Sequence, residues 1–160
     1  MKLLHFPHPA LFTKCEEVTL FDSHLKDNLD QIFSLMIECN GMGLSANQVG
    51  ILQRFFVMRA AFGEQFYCIN PRIESYYPEK ANLAEGCLSS PGDFLVLNRS
   101  NKIILSYQNE NGIKFSRIFT GIHAICIQHE IDHLDGKSFM QAEEVDKKKK
   151  KQLRKKWSLP

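Results

Sequence analysis

The stretch GIHAICIQHEIDHL, residues 121–134, decides how the rest of the chain is interpreted. It is apolar over most of its length, which predicts a buried helix. In a helix, His129 and His133 lie one turn apart on one face, so both imidazoles can reach a single metal ion. Glu130 stands beside the first histidine, where a carboxylate can take a proton from water and return it to a leaving nitrogen. This His-Glu-x-x-His pattern is a metalloprotease signature.

The alternative is a surface helix that carries two unrelated histidines. The apolar run Ala124-Ile125-Cys126-Ile127 argues for burial, and buried imidazole and carboxylate groups need a partner. A metal ion would be such a partner, but a catalytic metal site also needs a third protein ligand.

The residues downstream do not supply that ligand in either of the usual ways. Gly136 matches the glycine of the longer His-Glu-x-x-His-x-x-Gly-x-x-His pattern, but Phe139 stands at its last position and cannot bind a metal. A carboxylate on a further helix would have to come from Glu143, Glu144 or Asp146, directly before a lysine run. The third ligand is therefore expected upstream.

Two upstream segments are candidates for the rest of the site. EGCLSSPG, residues 85–92, places Cys87 between a glycine and a leucine, and a thiolate is a good metal ligand. GMGLSANQVG, residues 41–50, is typical of a helix end and a turn. It is not a phosphate-binding loop, because it lacks the Gly-Lys-Ser/Thr ending and a preceding strand. Neither segment alone identifies a site.

The rest of the chain predicts one more helix and several short strands. Apolar residues recur at helical spacing over residues 25–37, Asp22 or Ser23 can cap the start, and Asn40-Gly41 predicts the end. Strands are predicted at residues 55–58, 66–69, 102–107 and 113–118, with a hairpin turn at 109–112. This order predicts an α+β fold with an N-terminal helix, antiparallel or mixed strands and a buried C-terminal metal-binding helix.

Length and composition fit one ordinary globular domain. The chain has 160 residues, of which 44% are hydrophobic and 24% charged. It has no apolar run long enough to span a membrane and no signal peptide pattern, so we expect a cytoplasmic protein without a membrane partner. We also expect no DNA partner. Five widely spaced cysteines without a Cys-x-x-Cys pair predict reduced thiols.

Three segments together resemble the peptide deformylase family. The signatures of that family are G-x-G-L-[AS]-A-x-Q, E-G-C-L-S and Q-H-E-x-D-H-L, and this sequence has them in the same order at residues 41–48, 85–89 and 128–134. The resemblance extends from about Pro9 to Met140. It implies a metallohydrolase that removes the formyl group from N-formylmethionyl nascent chains and releases formate.

The resemblance also implies a role for individual residues. The metal ligands correspond to Cys87, His129 and His133, the general acid and base to Glu130, and the donors to the oxyanion to the Gln48 amide and the Leu88 backbone N–H. Substrate-binding positions correspond to Met42, Gly43, Leu44, Gly86, Ile122, Ile125 and Cys126, with Gly43 and Gly86 offering backbone groups to the peptide and Met42, Ile122, Ile125 and Cys126 forming a methionine pocket. Asp132 would orient the metal helix.

One divalent metal ion is the expected cofactor. A cysteine with two histidines suits zinc by ligand chemistry. The resemblance instead implies Fe(II) as the physiological ion, with zinc, nickel or cobalt able to substitute. The ligand types alone leave this choice open.

The C-terminal tail differs from the rest of the chain in charge. Residues 147–160 carry eight basic and no acidic side chains, which leaves 12 basic against 18 acidic residues in 1–146. We predict a catalytic domain at 1–146 and a basic tail at 147–160. The tail is interpreted either as a solvated, partly disordered end, because like charges repel, or as a segment that docks onto ribosomal RNA.

Two other functions remain alternatives to deformylation. One is a zinc metallopeptidase that cuts internal peptide bonds, and the other is a non-catalytic module that binds the ribosome or RNA. The complete set of predicted catalytic residues argues against the second. Release of formate from a formylated peptide would separate both alternatives from the deformylase hypothesis.

Overall fold

Seven strands and three α-helices make up the part of the chain that the computed structural model describes, residues 1–60, 63–143 and 145–159. In chain order they are α1 (Ser23–Glu38), β1 (Gly43–Ser45), β2 (Phe55–Arg59), β3 (Gln65–Tyr76), β4 (Lys80–Gly86), β5 (Phe94–Ser100), β6 (Lys102–Gln108), β7 (Lys114–Thr120), α2 (Gly121–Leu134) and α3 (Lys147–Trp157). Short 3-10 helices cover Pro9–Phe12, Ala46–Val49 and Phe139–Gln141. Glu144, one of the carboxylates considered above, lies outside the described residues.

The strands form two antiparallel sheets. The larger has the order β1-β2-β3-β6-β7, and β4 pairs with β5 in a separate two-stranded sheet. The predicted hairpin is present: β6 and β7 pair, and the backbone N–H of Gly112 donates to the carbonyl of Asn109 at 2.9 Å. The predicted α+β fold class is confirmed.

The five-stranded sheet is covered by a helix on each face. Successive side chains of a strand point to opposite faces, and in β2 Phe55 and Val57 pack with α1 while Phe56 and Met58 pack with α2. All four are fully buried. This explains why the strand is apolar without alternation. The face of the sheet that carries Phe56 and Met58 thus packs against α2 along most of the length of the helix.

The two predicted helices have nearly the predicted bounds. At the start of α1, the Asp22 carboxylate accepts a hydrogen bond from the backbone N–H of Leu25 at 2.9 Å, as expected of an N-cap. The helix ends before Asn40, which has a left-handed backbone conformation with φ of 54°. The predicted helix 121–134 is α2 from end to end.

The expectation of a partly disordered tail is wrong for residues 147–157, which form α3. The Asp146 carboxylate caps the helix by accepting from the backbone N–H of Lys149 at 2.9 Å. Leu153 is buried in a third apolar cluster that also contains Cys87 and Leu95. The lysines project away from this contact, so solvent screens their mutual repulsion while one apolar side chain anchors the helix.

Three strands were not predicted, for two physical reasons. β1 has only three residues, too few for a periodic pattern. In β4 only Glu85 is buried, and in β5 the exposed positions Phe94 and Val96 are apolar like their buried neighbours, so the sequence does not alternate although burial does. The five cysteines are free, as predicted. Within the described ranges, no helix has both the length and the apolar character needed to cross a membrane.

Candidate active site

Cys87, His129 and His133 come together in a buried cluster. One potential ligand atom from each residue lies within 4.8 Å of the others, and Sγ of Cys87 is 3.2 Å from Nε2 of His133. The two histidines project from consecutive turns of α2, and Cys87 follows the end of β4. A thiolate with two imidazoles is a donor set that divalent transition metals favour, so these residues fit a metal ion.

The pKa values of the two histidines also indicate that the cluster favours a positive charge. Burial lowers the pKa of His133 well below its ordinary value, so this imidazole is neutral at pH 7, the form that binds metals. Burial alone would lower the pKa of His129, but hydrogen bonds to Cys87 and Glu85 raise it to about 10. The cluster therefore attracts positive charge, whether as a proton or as a metal cation.

A charged network fixes the orientation of His129. Its Nδ1 lies 2.9 Å from a carboxylate oxygen of Glu85, which in turn accepts two hydrogen bonds from Arg99 at 2.6 and 3.0 Å. Arg99 also donates to Asp132 at 2.7 Å. Asp132 is thus connected to His129 through the side chains of Arg99 and Glu85, and its role in orienting the helix stays a prediction. An arrangement of this kind holds a metal-ligating imidazole in one tautomer.

Gln48 faces Cys87 with the nitrogen of its side-chain amide. Its oxygen accepts from the backbone N–H and the hydroxyl of Ser45 at 3.0 and 2.9 Å. Its nitrogen therefore points the other way, 3.0 Å from the Ser89 hydroxyl and 3.6 Å from Sγ of Cys87. The nearby backbone N–H of Leu88 donates to no other group in the described part of the chain. Both predicted oxyanion donors thus lie next to Cys87 in sequence or in space.

Glu130 is a buried carboxylate next to the cluster. Its Oε2 has no hydrogen-bond partner among the described residues, and burial raises its pKa to about 7. A Cβ atom on Gly43 would lie 2.5 Å from Oε1 of Glu130 and 2.7 Å from Sγ of Cys126. Only glycine fits at this position, because any side chain would displace the carboxylate.

A cavity of about 390 Å³ connects these groups to the surface. Of the predicted substrate-binding residues, Met42, Gly43, Gly86, Ile122, Ile125 and Cys126 line it, together with Gln48, Cys87, Leu88, His129 and Glu130. Leu44 does not line it, because its side chain is fully buried in the core beneath α1. Most of the lining is apolar, so the cavity can accept an apolar side chain beside a polar reaction centre.

Sequence reasoning missed several residues of this site. Arg99 and Ser89 were not assigned roles, although they hold Glu85 and Gln48, and Phe94 forms part of the cavity wall although its side chain is exposed. The sequence offers one indication that Arg99 has a role, namely that this charged residue follows closely after the apolar segment Phe94-Leu95-Val96-Leu97. Their partners are distant in sequence, so spacing alone does not reveal them.

Comparison with known proteins supports the resemblance seen in the motifs. The family model for polypeptide deformylase matches residues 1–151. The peptide deformylase of Thermotoga maritima is 41% identical over 131 residues, covering 82% of this chain and 79% of that protein. A peptide deformylase-like protein of Agrobacterium fabrum is 36% identical over 155 residues, covering 97% of this chain and 93% of its own.

The same agreement holds at the level of the fold. A crystal structure of peptide deformylase from Plasmodium falciparum superimposes with a TM-score of 0.89 at 38% sequence identity, covering 98% of this chain and 93% of that one. A match to the family model over most of the chain, relatives above 30% identity and a shared fold lead to one conclusion. The chain belongs to the polypeptide deformylase family.

Proposed function

We propose that this protein is a metal-dependent hydrolase that removes the N-terminal formyl group from N-formylmethionyl polypeptides and releases formate. The observation that carries the proposal is the meeting of three kinds of group at the inner end of one cavity. These are a cluster suited to a metal, an unpaired buried carboxylate and an amide nitrogen whose direction is fixed. Formyl hydrolysis needs all three.

Cys87, His129 and His133 are proposed to hold the metal ion. When bound, the ion supplies Lewis-acid polarisation of a carbonyl and lowers the pKa of water. We propose Fe(II) as the physiological ion, with zinc, nickel or cobalt able to replace it. The soft thiolate and the two borderline imidazoles accept each of these ions.

Glu130 is proposed to carry the proton. Its carboxylate lies beside His129 on α2, and its free oxygen faces no protein donor in the described residues. It can therefore accept a proton from the attacking water and deliver it to the departing amide nitrogen, as hydrolysis of a formamide requires. Gly43 keeps the space in front of this carboxylate open.

Gln48 and Leu88 are proposed to stabilise the negative charge that develops on the formyl oxygen. The Gln48 amide is already oriented by Ser45, so no reorientation is needed during the reaction. Preorganised donors of this kind act most strongly in a buried site. The backbone groups of Gly43 and Gly86 would bind the extended peptide, and Met42, Ile122, Ile125 and Cys126 would surround the methionine side chain.

The proposal is tested by measuring formate release from a short N-formylmethionyl peptide. The protein is loaded with Fe(II) under anaerobic conditions or with Ni(II), and a chelated sample and a Glu130→Ala variant are measured beside it. We expect turnover only with metal and with Glu130, and we expect Glu130→Ala to keep its metal content. An active Glu130→Ala variant would remove Glu130 from the assigned role.

The same assay distinguishes the alternative functions. A metallopeptidase would cleave internal bonds of an unformylated peptide, and a binding module without catalysis would release no formate from any substrate. Folded, metal-loaded protein that releases no formate would overturn the proposed function. The family relationship favours neither alternative.

We also propose a cytoplasmic location and a division into a catalytic domain at 1–146 and a basic tail at 147–160. A further proposal is that the tail contacts the ribosome. The exposed lysines of α3 would bind phosphates of ribosomal RNA, and such binding weakens steeply with salt. Changing Lys147, Lys148 and Lys151 together to glutamine should abolish cosedimentation with ribosomes at low salt. Unchanged cosedimentation would rule out this contact.

A further inference from the structure

The last turn of α3 is attached to a buried carboxylate from another part of the chain. Oδ2 of Asp93 accepts hydrogen bonds from the ammonium of Lys156 at 2.8 Å and from the indole N–H of Trp157 at 2.6 Å. The Asp93 side chain is 8% exposed, whereas that of Lys156 is 49% exposed. A buried carboxylate is costly without partners, and α3 supplies both of its side-chain donors.

Asp93 lies in the wall of the candidate active site. Pro91, Gly92, Asp93 and Phe94 all line the cavity that Cys87 and Glu130 also line. Two hydrogen-bonded turns connect this wall to Cys87, since the N–H of Ser90 donates to the Cys87 carbonyl at 3.0 Å and the N–H of Asp93 to the Ser90 carbonyl at 3.2 Å. The segment 87–94 therefore joins the metal cluster to the outer wall of the cavity.

This segment is held at two points by different parts of the protein. Near Cys87, Ser89 accepts hydrogen bonds from the Gln48 amide at 3.0 Å and, at its carbonyl, from the N–H of Phe6 at 3.1 Å. At the other end, Asp93 is held by α3. Loss of the α3 contact would thus loosen the wall of the cavity and leave the neighbourhood of Cys87 in place.

We propose that Lys156 and Trp157 are positioning residues for the reaction, which through Asp93 hold the Pro91–Phe94 wall in the position that receives the peptide substrate. The inference rests on the proposed function for its substrate. It gives the basic helix a second task beside any contact with RNA. The two residues act from the C-terminal end of the described chain on a site built from elements before it.

The test compares single substitutions in full-length, metal-loaded protein. Trp157→Phe keeps an aromatic ring and removes the N–H donor together with one ring of the indole, and Lys156→Gln removes the charge. We expect each to raise KM for an N-formylmethionyl peptide about threefold to tenfold, with kcat within about twofold of the wild type; this is less than the direct loss of a charge-assisted hydrogen bond to the substrate would cost, because the contact acts through the wall. Lys155→Gln is the control. Lys155 lies in the same turn of α3 and forms no ion pair in the described residues, so removing its charge should leave KM unchanged.

A double substitution shows whether the effect passes through Asp93. Asp93→Ala removes the acceptor and should itself raise KM, and in that background Trp157→Phe should raise KM no further, because two residues that act through one contact are not additive. Trp157 is the only tryptophan of the chain. A change in its fluorescence in Asp93→Ala, with unchanged circular dichroism, reports loss of the contact in folded protein.

Two results would overturn the inference. One is a wild-type KM in Trp157→Phe and Lys156→Gln, and the other is an equal effect of Trp157→Phe in the presence and absence of the Asp93 carboxylate. Binding of a deformylated methionyl peptide, measured by calorimetry, reports whether the cavity wall is positioned to receive the peptide, and this measurement does not depend on turnover. A wild type that binds this peptide and releases no formate would therefore refute the proposed function alone, while the variants still test the wall.

Discussion

Helix α2 places two histidines beside Cys87, and helix α3 contributes Leu153 to the apolar cluster that contains Cys87. The two helices are built on opposite principles. Ten residues of α2 are buried, including two imidazoles and a carboxylate. In α3 only Leu153 is buried, and most of the remaining residues are lysines and arginine. α2 depends on packing and on partners for its buried polar groups. α3 depends on a few anchors, namely Asp146, Leu153 and the contact with Asp93.

The two helices therefore differ in their tasks: α2 carries groups of the candidate reaction centre, whereas α3 is a charged helix attached to the rest of the protein at a few points. Burial raises the pKa of Glu130 and lowers that of His133, whereas hydrogen bonds outweigh burial and raise the pKa of His129. Glu130 and His129 line the cavity, and His133 joins His129 in the candidate metal cluster. Surface exposure in α3 leaves its charges available to solvent and to partners. A substitution beneath α2 should therefore affect the whole fold or the reaction, whereas most substitutions in α3 should have little effect unless they remove an anchor.

The largest effect on stability is expected from Arg99, which holds the network beneath α2. Arg99→Met would leave Glu85 buried without its guanidinium partner, and removing one partner of a buried ion pair typically costs about 3–5 kcal/mol. Urea unfolding of the metal-free protein measures this loss. Arg117→Met, at an exposed position of β7 with no ion pair among the described residues, should stay within about 0.5 kcal/mol of the wild type. Equal stability of the two variants would contradict the importance of the network.

The next effect concerns the reaction. Gln48→Met has a similar volume and no N–H donor, so kcat for formate release should fall by a factor of about 100 to 1,000, the usual cost of one oxyanion donor. The same substitution at Gln152, an exposed residue of α3, should leave kcat unchanged. Steady-state kinetics of both variants with matched metal content is the measurement. A fall in kcat below threefold would assign the oxyanion to other donors.

A smaller effect is expected where α3 is anchored by packing. Leu153→Ala should weaken the attachment of α3 by about 2–3 kcal/mol, the low end for removal of a buried leucine, since the helix can detach without opening the main core. In urea, Trp157 fluorescence should then change before the far-ultraviolet circular dichroism does. Lys151→Ala, two residues away and exposed, is the matched control and should show coincident transitions. Coincident transitions in Leu153→Ala would mean that α3 unfolds only with the rest of the protein.

The contrast between the helices also explains what could be predicted from the sequence. The bounds of α1 and α2 follow from local features, such as a cap at Asp22, helical spacing of apolar residues and an apolar run. The same is true of β2, β6 and β7, and of the turn at Gly112. α3 was expected to be partly disordered because five consecutive lysines repel, and its anchor at Asp93 is more than sixty residues away in sequence.

The site shows the same division. Motif spacing predicted that His129 and His133 can share a metal ion, the resemblance to the deformylase family added Cys87, and the fold brings the three residues together. Arg99 and Asp93 were not predicted, because their importance arises only from partners that the fold brings near them. The β4–β5 hairpin escaped prediction because exposed positions of β5, Phe94 and Val96, are apolar, so the sequence lacks the alternation that marks a half-buried strand. Long-range polar contacts leave no periodic signal in the sequence.

The smallest expected effect is a pH dependence in the attachment of α3. Although burial works in the opposite direction, the hydrogen bonds from Lys156 and Trp157 hold the pKa of Asp93 below its usual value, with the charge of Lys149 adding to the shift. A carboxylate whose pKa is lowered by folding stabilises the folded state above about pH 4, where the unfolded group titrates, and this contribution is lost as the pH falls through the folded pKa. Trp157 fluorescence should therefore be constant from pH 7 to about pH 4 and change below it.

Asp93→Asn separates this transition from general acid unfolding. The variant cannot titrate at this position, so its fluorescence below about pH 4 should follow the circular dichroism of the whole protein, whereas in the wild type the fluorescence should change first. In the described residues, the indole of Trp157 donates to Asp93 and to no group of α2, so titration of the buried groups of α2 should appear mainly in the global signal. An identical acid profile in the wild type and in Asp93→Asn would mean that the apolar contact of Leu153, and not the carboxylate, decides whether α3 stays attached to the wall of the cavity.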